Sequence, residues 1–228
     1  MAEIGTGGPP PPESPPPKNP PRRNGNRQNA RAGRRAERRE TILAAALEEF
    51  SARGFAATRL DDVASRAGVA KGTIYLYFDD KEALFQELVR SMLGPLVGAI
   101  EAAPTGDMQV ADIARAIADL FVREIYETRR KDVIRLIIAE GPRFPSLAEF
   151  YYREVISRIL SAMRALLARA VERGELKSDA LARFPQLLVA PALMAVVWNG
   201  LFERFAPLDI EALMRAHLDL LFGERSAR

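Results

Sequence analysis

The sequence contains no cysteine and a single histidine among its 228 residues. Without cysteine, disulfides, thiolate metal ligands and cysteine nucleophiles are excluded. His217 alone cannot make a histidine-rich metal site, and its place in a C-terminal helical pattern favours a packing or interface role. A nucleotide-binding glycine loop and a nucleophile with its base are also missing. We therefore expect no metal, no cofactor and no enzymatic activity.

Long apolar runs are missing as well. No segment reaches the roughly 18 uninterrupted apolar residues that a membrane-spanning helix needs. The N-terminal region has no apolar run that could serve as a secretory signal. We therefore expect a cytoplasmic protein with no membrane partner, while a hydrophobic content of 48% is sufficient for a substantial core.

Large apolar residues are almost absent from the first 33 positions after Ile4. This segment is rich in proline and then in arginine, asparagine and glycine, a composition that predicts a disordered arm. Residues 1–40 contain nine basic and four acidic residues, a net charge of +5 against +3 for the whole chain. The arm could follow DNA phosphates or enter a minor groove, or it could be a solubilising tail without defined contacts. The sequence leaves both interpretations open.

The stretch LDDVASRAGVAKGTIYLYF, from Leu60 to Phe78, carries the most informative pattern. Gly68 is expected to end a first short helix in the left-handed conformation, and Ile74 and Phe78 face inward from a second one. Two short helices joined by a glycine turn are the signature of a helix-turn-helix, whose second helix enters the major groove of DNA. The apolar residues of the first helix have the spacing of one helix face: Leu60, Val63, Ala64 and Ala67.

The same spacing leaves five residues on the outer face of the second helix. Lys71 can donate to guanine O6 or N7, and Gly72 lets the backbone come close to the bases. Thr73 can contact a base edge or a phosphate, and Tyr75 and Tyr77 offer hydroxyl groups to phosphate oxygens. The alternative, that both tyrosines only pack against the rest of the helix, stays open.

Three pieces of the sequence, ILAAALEEFSARGF, VASRAGVAKGTIYLYF and DDKEALF, resemble the DNA-binding domain of the tetracycline-repressor (TetR) family of bacterial regulators. The resemblance runs from about Arg35 to Met92. Arg59 stands where the family usually has a helix-capping Ser or Thr, and a basic side chain there could meet a phosphate instead. The resemblance implies that bases face Lys71, Gly72 and Thr73, and that phosphates are held by Thr73, Tyr75, Tyr77 and Lys81.

The helical spacing and the resemblance together predict an all-α protein. The first helix should run from Ala36 to Arg53, and Asp79 or Asp80 should cap a helix that Pro95 kinks or ends. The expected organisation is an N-terminal three-helix DNA-binding domain and a C-terminal helical domain for ligand binding and dimerisation. The predicted boundaries are a disordered arm over 1–33, the helix-turn-helix domain over 34–80, the effector-binding and dimerisation domain over 81–222, and a tail over 223–228.

Members of the family commonly bind a small molecule inside the C-terminal domain, which changes the separation of the two recognition helices and releases DNA. The resemblance therefore implies an effector, and the apolar composition favours a small apolar or aromatic one. An ordinary helical core would use the same residue types at the same spacing. The candidate cavity residues are Phe121, Ile125, Ile134, Ile138, Phe144, Tyr151, Met163 and Met194.

The last two helical segments, about 183–205 and 209–222, carry more apolar surface than a terminal hairpin needs. In the family, two such hairpins pair across a two-fold axis. A dimer with two helix-turn-helix motifs would read an inverted repeat. The candidate interface residues of this homodimer are Trp198, Leu201, Phe202, Phe205, Leu213 and His217.

These patterns predict a sequence-specific transcriptional regulator rather than an enzyme. The main hypothesis is a repressor that binds a palindromic operator on double-stranded DNA as a dimer and is released by a small-molecule effector. The alternative is a weakly specific or architectural DNA-binding protein whose affinity comes mainly from the arginine-rich arm.

Overall fold

The computed structural model describes residues 23–103, 106 and 108–223. Across these residues the regular structure is helical and contains no strand, which confirms the predicted all-α class. The chain divides into two compact units, residues 1–38 and 39–228. The predictions of a disordered arm over residues 1–22 and of a tail over 224–228 lie outside the described residues.

In the first unit, the described residues are helical, and the side chains of residues 30–38 are all exposed. They belong to helix α1 (Arg23–Ala57), which begins well before the predicted start at Ala36. The helix thus includes residues 23–33, which the composition assigned to the disordered arm. Extending an existing helix avoids the cost of nucleation, so it needs no buried face. The domain boundary at residue 33 stays a prediction.

The second unit begins with the packed part of α1. Its apolar side chains Ile42, Leu43, Ala46, Leu47 and Phe50 are buried. The helical backbone breaks at Gly54 (φ 74°, ψ 168°), directly after the predicted end of the first helix at Arg53. Only glycine adopts this conformation without strain. Two short helices follow, α2 (Leu60–Arg66) and α3 (Lys71–Ile74).

Helix α4 (Lys81–Glu101) is the long central helix of the second unit. Asp80 caps it, as predicted, by accepting a hydrogen bond from the backbone N–H of Ala83 at 2.7 Å. The helix continues through Pro95 instead of ending before it. By length and composition α4 could cross a membrane, but a core helix meets the same criterion, and residues such as Leu88 and Val97 are fully buried here.

The remaining helices complete one continuous apolar core in the second unit. Two of them carry a π-helical turn, at Val122–Tyr126 and at Tyr152–Ile156. These helices are α5 (Val110–Phe121), α6 (Arg130–Glu140), α7 (Pro145–Tyr151), α8 (Ser157–Glu172), α9 (Ala180–Arg183), α10 (Gln186–Phe202) and α11 (Ile210–Phe222).

Candidate nucleic-acid interface and ligand cavity

The turn between α2 and α3 has the geometry that the sequence predicted. Gly68 has a φ of 65°, and the N–H of Val69 donates to the carbonyl of Ala64 at 3.0 Å, closing the end of α2. Left-handed glycine and this hydrogen bond are the usual way to end a helix sharply. Ile74 and Phe78 are buried as predicted, with 0% and 4% of their surface exposed.

Of the five contacts predicted on the second helix, Lys71, Gly72 and Thr73 lie in α3, whereas Tyr75 and Tyr77 lie in the turn that follows it. Lys71, Gly72 and Tyr75 are exposed, while Thr73 and Tyr77 are half-buried. Tyr77 also packs against the core, so packing is part of its role. Whether these side chains touch DNA stays a prediction.

Leu76, with 75% of its surface exposed, lies on the same segment and was not predicted as part of the surface. Its apolar side chain carried no signal in the sequence, because the helical spacing that identified Ile74 and Phe78 places Leu76 between them. An exposed leucine here can contact a thymine methyl group.

Lys71 is held by an ion pair within the helix-turn-helix. Its Nζ lies 2.6 Å from Oδ2 of Asp61, in the first turn of α2. The hydrogen bond and the charge of Asp61 raise the pKa of Lys71, because both favour the charged ammonium group. To reach a base, Lys71 must either leave Asp61 or donate to Asp61 and to the base at the same time through different N–H groups.

Lys81 has a structural role that the sequence did not indicate. Its Nζ donates to the carbonyl oxygens of Phe55 and Ala56, both at 2.9 Å, and lies 4.7 Å from the centroid of the Phe55 ring. A cation at the carbonyl end of a helix is favoured by the helix dipole. The predicted phosphate contact of Lys81 stays a prediction, but the ammonium already joins α4 to the end of α1.

Arg59 precedes α2 with an extended backbone, and its exposed side chain makes no capping hydrogen bond. The neighbouring Thr58 does not cap α2 either. Its buried hydroxyl donates to the carbonyl of Gly54 at 2.8 Å and therefore stabilises the end of α1. Only Asp61 and Asp62 provide the favourable negative charge in the first turn of α2. The exposed Arg59 remains a candidate phosphate contact.

A buried carboxylate joins α1 to both ends of α2. Glu49 is 3% exposed, and its Oε1 accepts a hydrogen bond from Arg66 Nε at 2.6 Å. Its Oε2 lies 3.2 Å from Arg53 Nε, and Arg53 in turn donates to Asp62 at 3.1 Å. The hydrogen bond and the charge of Glu49 raise the pKa of Arg66. These pairs fix the orientation of α2 against α1.

Glu48 extends this set of ion pairs towards α6. It accepts hydrogen bonds from Arg66 Nη1 at 2.9 Å and from Arg129 Nη1 at 3.0 Å. Arg129 immediately precedes α6. The sequence did not indicate this connection, because Glu48 and Arg129 are 81 positions apart and no local spacing relates them. We call the set Arg129, Glu48, Arg66 and Glu49 the ion-pair chain.

A cavity of about 370 Å³ lies among α4, α5, α8, α10 and α11. Four of the predicted residues line it: Phe121, Ile134, Tyr151 and Met163. The prediction missed the contribution of α4, from Leu93, Leu96 and Ile100, and most of that of α8 and α10. Those residues have the same apolar character as the rest of the core, so the sequence did not distinguish them.

The other four predicted cavity residues do not line the cavity, which corrects that part of the prediction. Ile125 is fully buried in the core, and Ile138 and Met194 are 43% and 55% exposed. Phe144 packs against Phe55, with ring centroids 4.9 Å apart. Helical spacing identifies an apolar face, but it shows neither which of its side chains stay exposed nor which of the inward ones face a void.

The predicted interface residues of α10 lie at its C-terminal end. Leu201, Phe202 and Phe205 are 64%, 42% and 75% exposed. Trp198 is half-buried, and its indole N–H donates to the carbonyl of Ala206 at 2.7 Å. The Trp198 and Phe202 rings meet edge to face at 5.1 Å. Large apolar side chains therefore remain uncovered on this face.

On α11, Leu213 and His217 are half-buried. His217 Nε2 lies 2.8 Å from the carbonyl oxygen of Leu187, so the histidine joins the two last helices. Among the described residues, no group of three or more His, Asp or Glu side chains could hold a metal ion. Four further large apolar residues of α10 and α11 are exposed and were not among the interface candidates: Leu187, Leu193, Met194 and Leu220.

Comparison with known proteins gives two family matches. The model of bacterial regulatory proteins of the tetR family matches residues 42–88. The model of a tetracyclin repressor-like C-terminal domain matches residues 103–220, which is more than half of the chain. The two matches contain the helix-turn-helix and most of the cavity wall, respectively.

Individual relatives and solved structures agree with these two family matches. The transcriptional regulator SrpR of Pseudomonas putida is 29% identical over 140 residues, which are 61% of this chain and 64% of the relative. FadR of Bacillus subtilis in complex with stearoyl-CoA has a TM-score of 0.64 at 21% identity, covering 82% of this chain and 99% of that one.

A complex of SmeT with triclosan has a TM-score of 0.68 at 22% identity, covering 81% of this chain and 90% of that one. SmeT is the repressor of a multidrug efflux pump of Stenotrophomonas maltophilia. These two structures show the shared fold, and the family models cover both the helix-turn-helix and the C-terminal helices. The chain therefore belongs to the tetR family of bacterial regulatory proteins and is a DNA-binding transcriptional regulator.

Proposed function

We propose that the protein is a cytoplasmic repressor that binds a palindromic operator as a homodimer and is released when a small apolar molecule enters the cavity. The observation that carries this proposal is the exposed segment from Lys71 to Tyr77, held on a buried Ile74 and Phe78 within the matched helix-turn-helix. Such a segment is suited to the major groove. The mechanism requires no chemical step.

The apolar face of α10 supports the dimer. Leu187, Met194 and Leu201 are each about half exposed or more, and they recur at intervals of seven residues along one helix. Exposed apolar side chains at this interval suit packing against a second helix. Two copies of the hairpin formed by α10 and α11 would bury this face.

Helix α4 supports a link between ligand and DNA. Leu93, Leu96 and Ile100 from its C-terminal half line the cavity. At its other end, Lys81 donates to the carbonyl groups of Phe55 and Ala56 beside the helix-turn-helix. A ligand that displaces the C-terminal half of α4 would therefore move a helix bonded to the end of α1. Release requires that the ligand binds the DNA-free arrangement more tightly.

The DNA experiment is fluorescence anisotropy of the full chain on DNA from its own upstream region, with excess random competitor at two salt concentrations. We expect competitor-resistant binding with two protomers per inverted repeat. Binding lost to competitor would contradict the proposal and favour the alternative, in which the arginine-rich arm supplies most of the affinity.

The dimer is tested by Leu201→Glu, with Met108→Glu as the control. Both residues are exposed apolar side chains, 64% and 44% exposed, but Met108 lies outside the hairpin of α10 and α11. A charge at the centre of an apolar interface should dissociate it. Light scattering should give a monomer for Leu201→Glu and a dimer for Met108→Glu. If both variants remain dimeric, the interface lies elsewhere.

A further inference from the structure

The wall of the cavity contains no charged side chain among the described residues. Of the side chains that line it, only those of Tyr151 and Gln186 are polar, and both are neutral. The rest are aliphatic, aromatic or thioether groups. A carboxylate or an ammonium group placed inside would lose its water without gaining an ion pair, which is costly in an apolar environment.

Tyr151 lies at the end of α7, and no described residue donates to or accepts from its hydroxyl. A phenol is protonated at neutral pH and can donate a hydrogen bond, and burial raises the pKa of Tyr151 further, to about 12. Tyr151 is half-buried, and a hydroxyl that loses contact with water without gaining a hydrogen-bond partner is unfavourable. A ligand acceptor atom beside it would satisfy the hydroxyl.

Tyr152, the next residue, provides an internal contrast. It is 59% exposed, lies in the π-helical turn that follows α7, and does not line the cavity. Two adjacent tyrosines therefore differ in one relevant property, since one faces the cavity and the other faces solvent.

We propose that the cavity selects uncharged, mainly apolar ligands that carry one hydrogen-bond acceptor, and that the Tyr151 hydroxyl donates to that acceptor. This inference rests on the proposed effector role of the cavity. It deepens that role, because it defines the ligand by charge and by a single polar atom. A volume of about 370 Å³ is near the lower end for small-molecule sites, so the ligand must be small.

The test uses three naphthalenes substituted at the same ring position and nearly equal in shape. Acetylnaphthalene is a neutral acceptor, isopropylnaphthalene has no acceptor, and naphthoate is an anion. Isothermal titration calorimetry of the full chain without DNA should rank acetylnaphthalene first and naphthoate last. Tighter binding of naphthoate than of acetylnaphthalene would overturn the proposed ligand class.

Tyr151→Phe tests the anchor, with Tyr152→Phe as the matched control. Loss of one neutral hydrogen bond should weaken acetylnaphthalene by about threefold to tenfold and leave isopropylnaphthalene unchanged. Tyr152→Phe should change neither. An unchanged preference for the ketone in Tyr151→Phe, or its loss in Gln186→Met instead, would overturn the role of Tyr151.

The outcomes also separate this inference from the proposed function. If no naphthalene binds, the ligand class is overturned, while repression remains testable by the anisotropy experiment with DNA. If acetylnaphthalene binds through Tyr151 but leaves DNA binding unchanged, the cavity chemistry stands and the proposed release mechanism fails.

Discussion

The helix-turn-helix region and the region around the cavity are built on opposite principles. Around α1, α2 and α4, aromatic rings pack closely, and charged side chains such as Glu49 and Lys81 find partners inside the protein. Around the cavity, neutral apolar walls enclose a space of about 370 Å³. The proposed function requires one region to present a fixed surface to DNA and the other to leave room for a small molecule. The contrast predicts different responses to mutation.

Phe55→Ala should have the largest effect on stability. Phe55 is 1% exposed, and its ring contacts those of Phe50, Phe85 and Phe144 at centroid distances of 5.5, 5.6 and 4.9 Å. Truncating a buried Phe costs about 3–5 kcal/mol. We expect this loss in the free energy of unfolding, measured by urea denaturation.

The matching change in the other region is Phe121→Ala. Phe121 is half-buried and lines the cavity, so part of its ring already lacks packing partners. We expect a smaller loss than for Phe55→Ala. Equal losses would show that the cavity wall is as tightly packed as the aromatic cluster.

Lys71→Ala should reduce the discrimination between operator and random DNA by about tenfold or more, if Lys71 reads a guanine. The measurement is anisotropy with both DNAs. Lys81→Ala should instead lower stability and weaken binding to every sequence, because it removes the bonds to Phe55 and Ala56. Equal losses on both DNAs for Lys71→Ala would exclude base recognition by this residue.

Asp61→Asn tests the ion pair that holds Lys71. Removing the carboxylate frees Lys71 and removes a negative charge from the surface proposed to face DNA. We expect tighter binding to random DNA and a steeper salt dependence. Unchanged affinity for random DNA would show that Asp61 does not restrain Lys71.

Gly54→Ala should destabilise the junction between α1 and α2. A residue with a side chain is strained at φ 74° and ψ 168°, by roughly 1–3 kcal/mol. An added Cβ would also lie 2.6 Å from Oε1 of Glu140. Gly98→Ala is the control, since Gly98 is helical and has nothing within 4 Å of its added Cβ. Thermal unfolding should show a loss for Gly54→Ala and a small gain for Gly98→Ala.

The smallest effect is expected in the ion-pair chain. Glu48 and Arg129 are partly exposed, with 42% and 56% of their side chains accessible. A double-mutant cycle with Glu48→Gln and Arg129→Gln should give a coupling of about 0.2–1 kcal/mol. The coupling should fall as salt increases. A coupling that is independent of salt would mean that packing, rather than charge, joins α1 to α6.

Local periodicity and turn chemistry determined much of the helix-turn-helix. The spacing of Leu60, Val63 and Ala64, the left-handed Gly68 and the Asp80 cap are all properties of short segments, and the sequence predicted each of them. They depend on neighbours within one or two helical turns, so one sequence is enough to identify them.

Tertiary structure decided the rest. Lys81 donates hydrogen bonds to carbonyl groups that are 25 and 26 residues away in the sequence. Glu48 pairs with Arg129 across 81 positions. Half of the predicted cavity residues lie elsewhere, because Ile125 and Ile134 have the same apolar character in the sequence. Helical spacing places apolar side chains on one face of a helix, but only the packing of distant helices determines which of them stay exposed, which fill the core and which face the cavity.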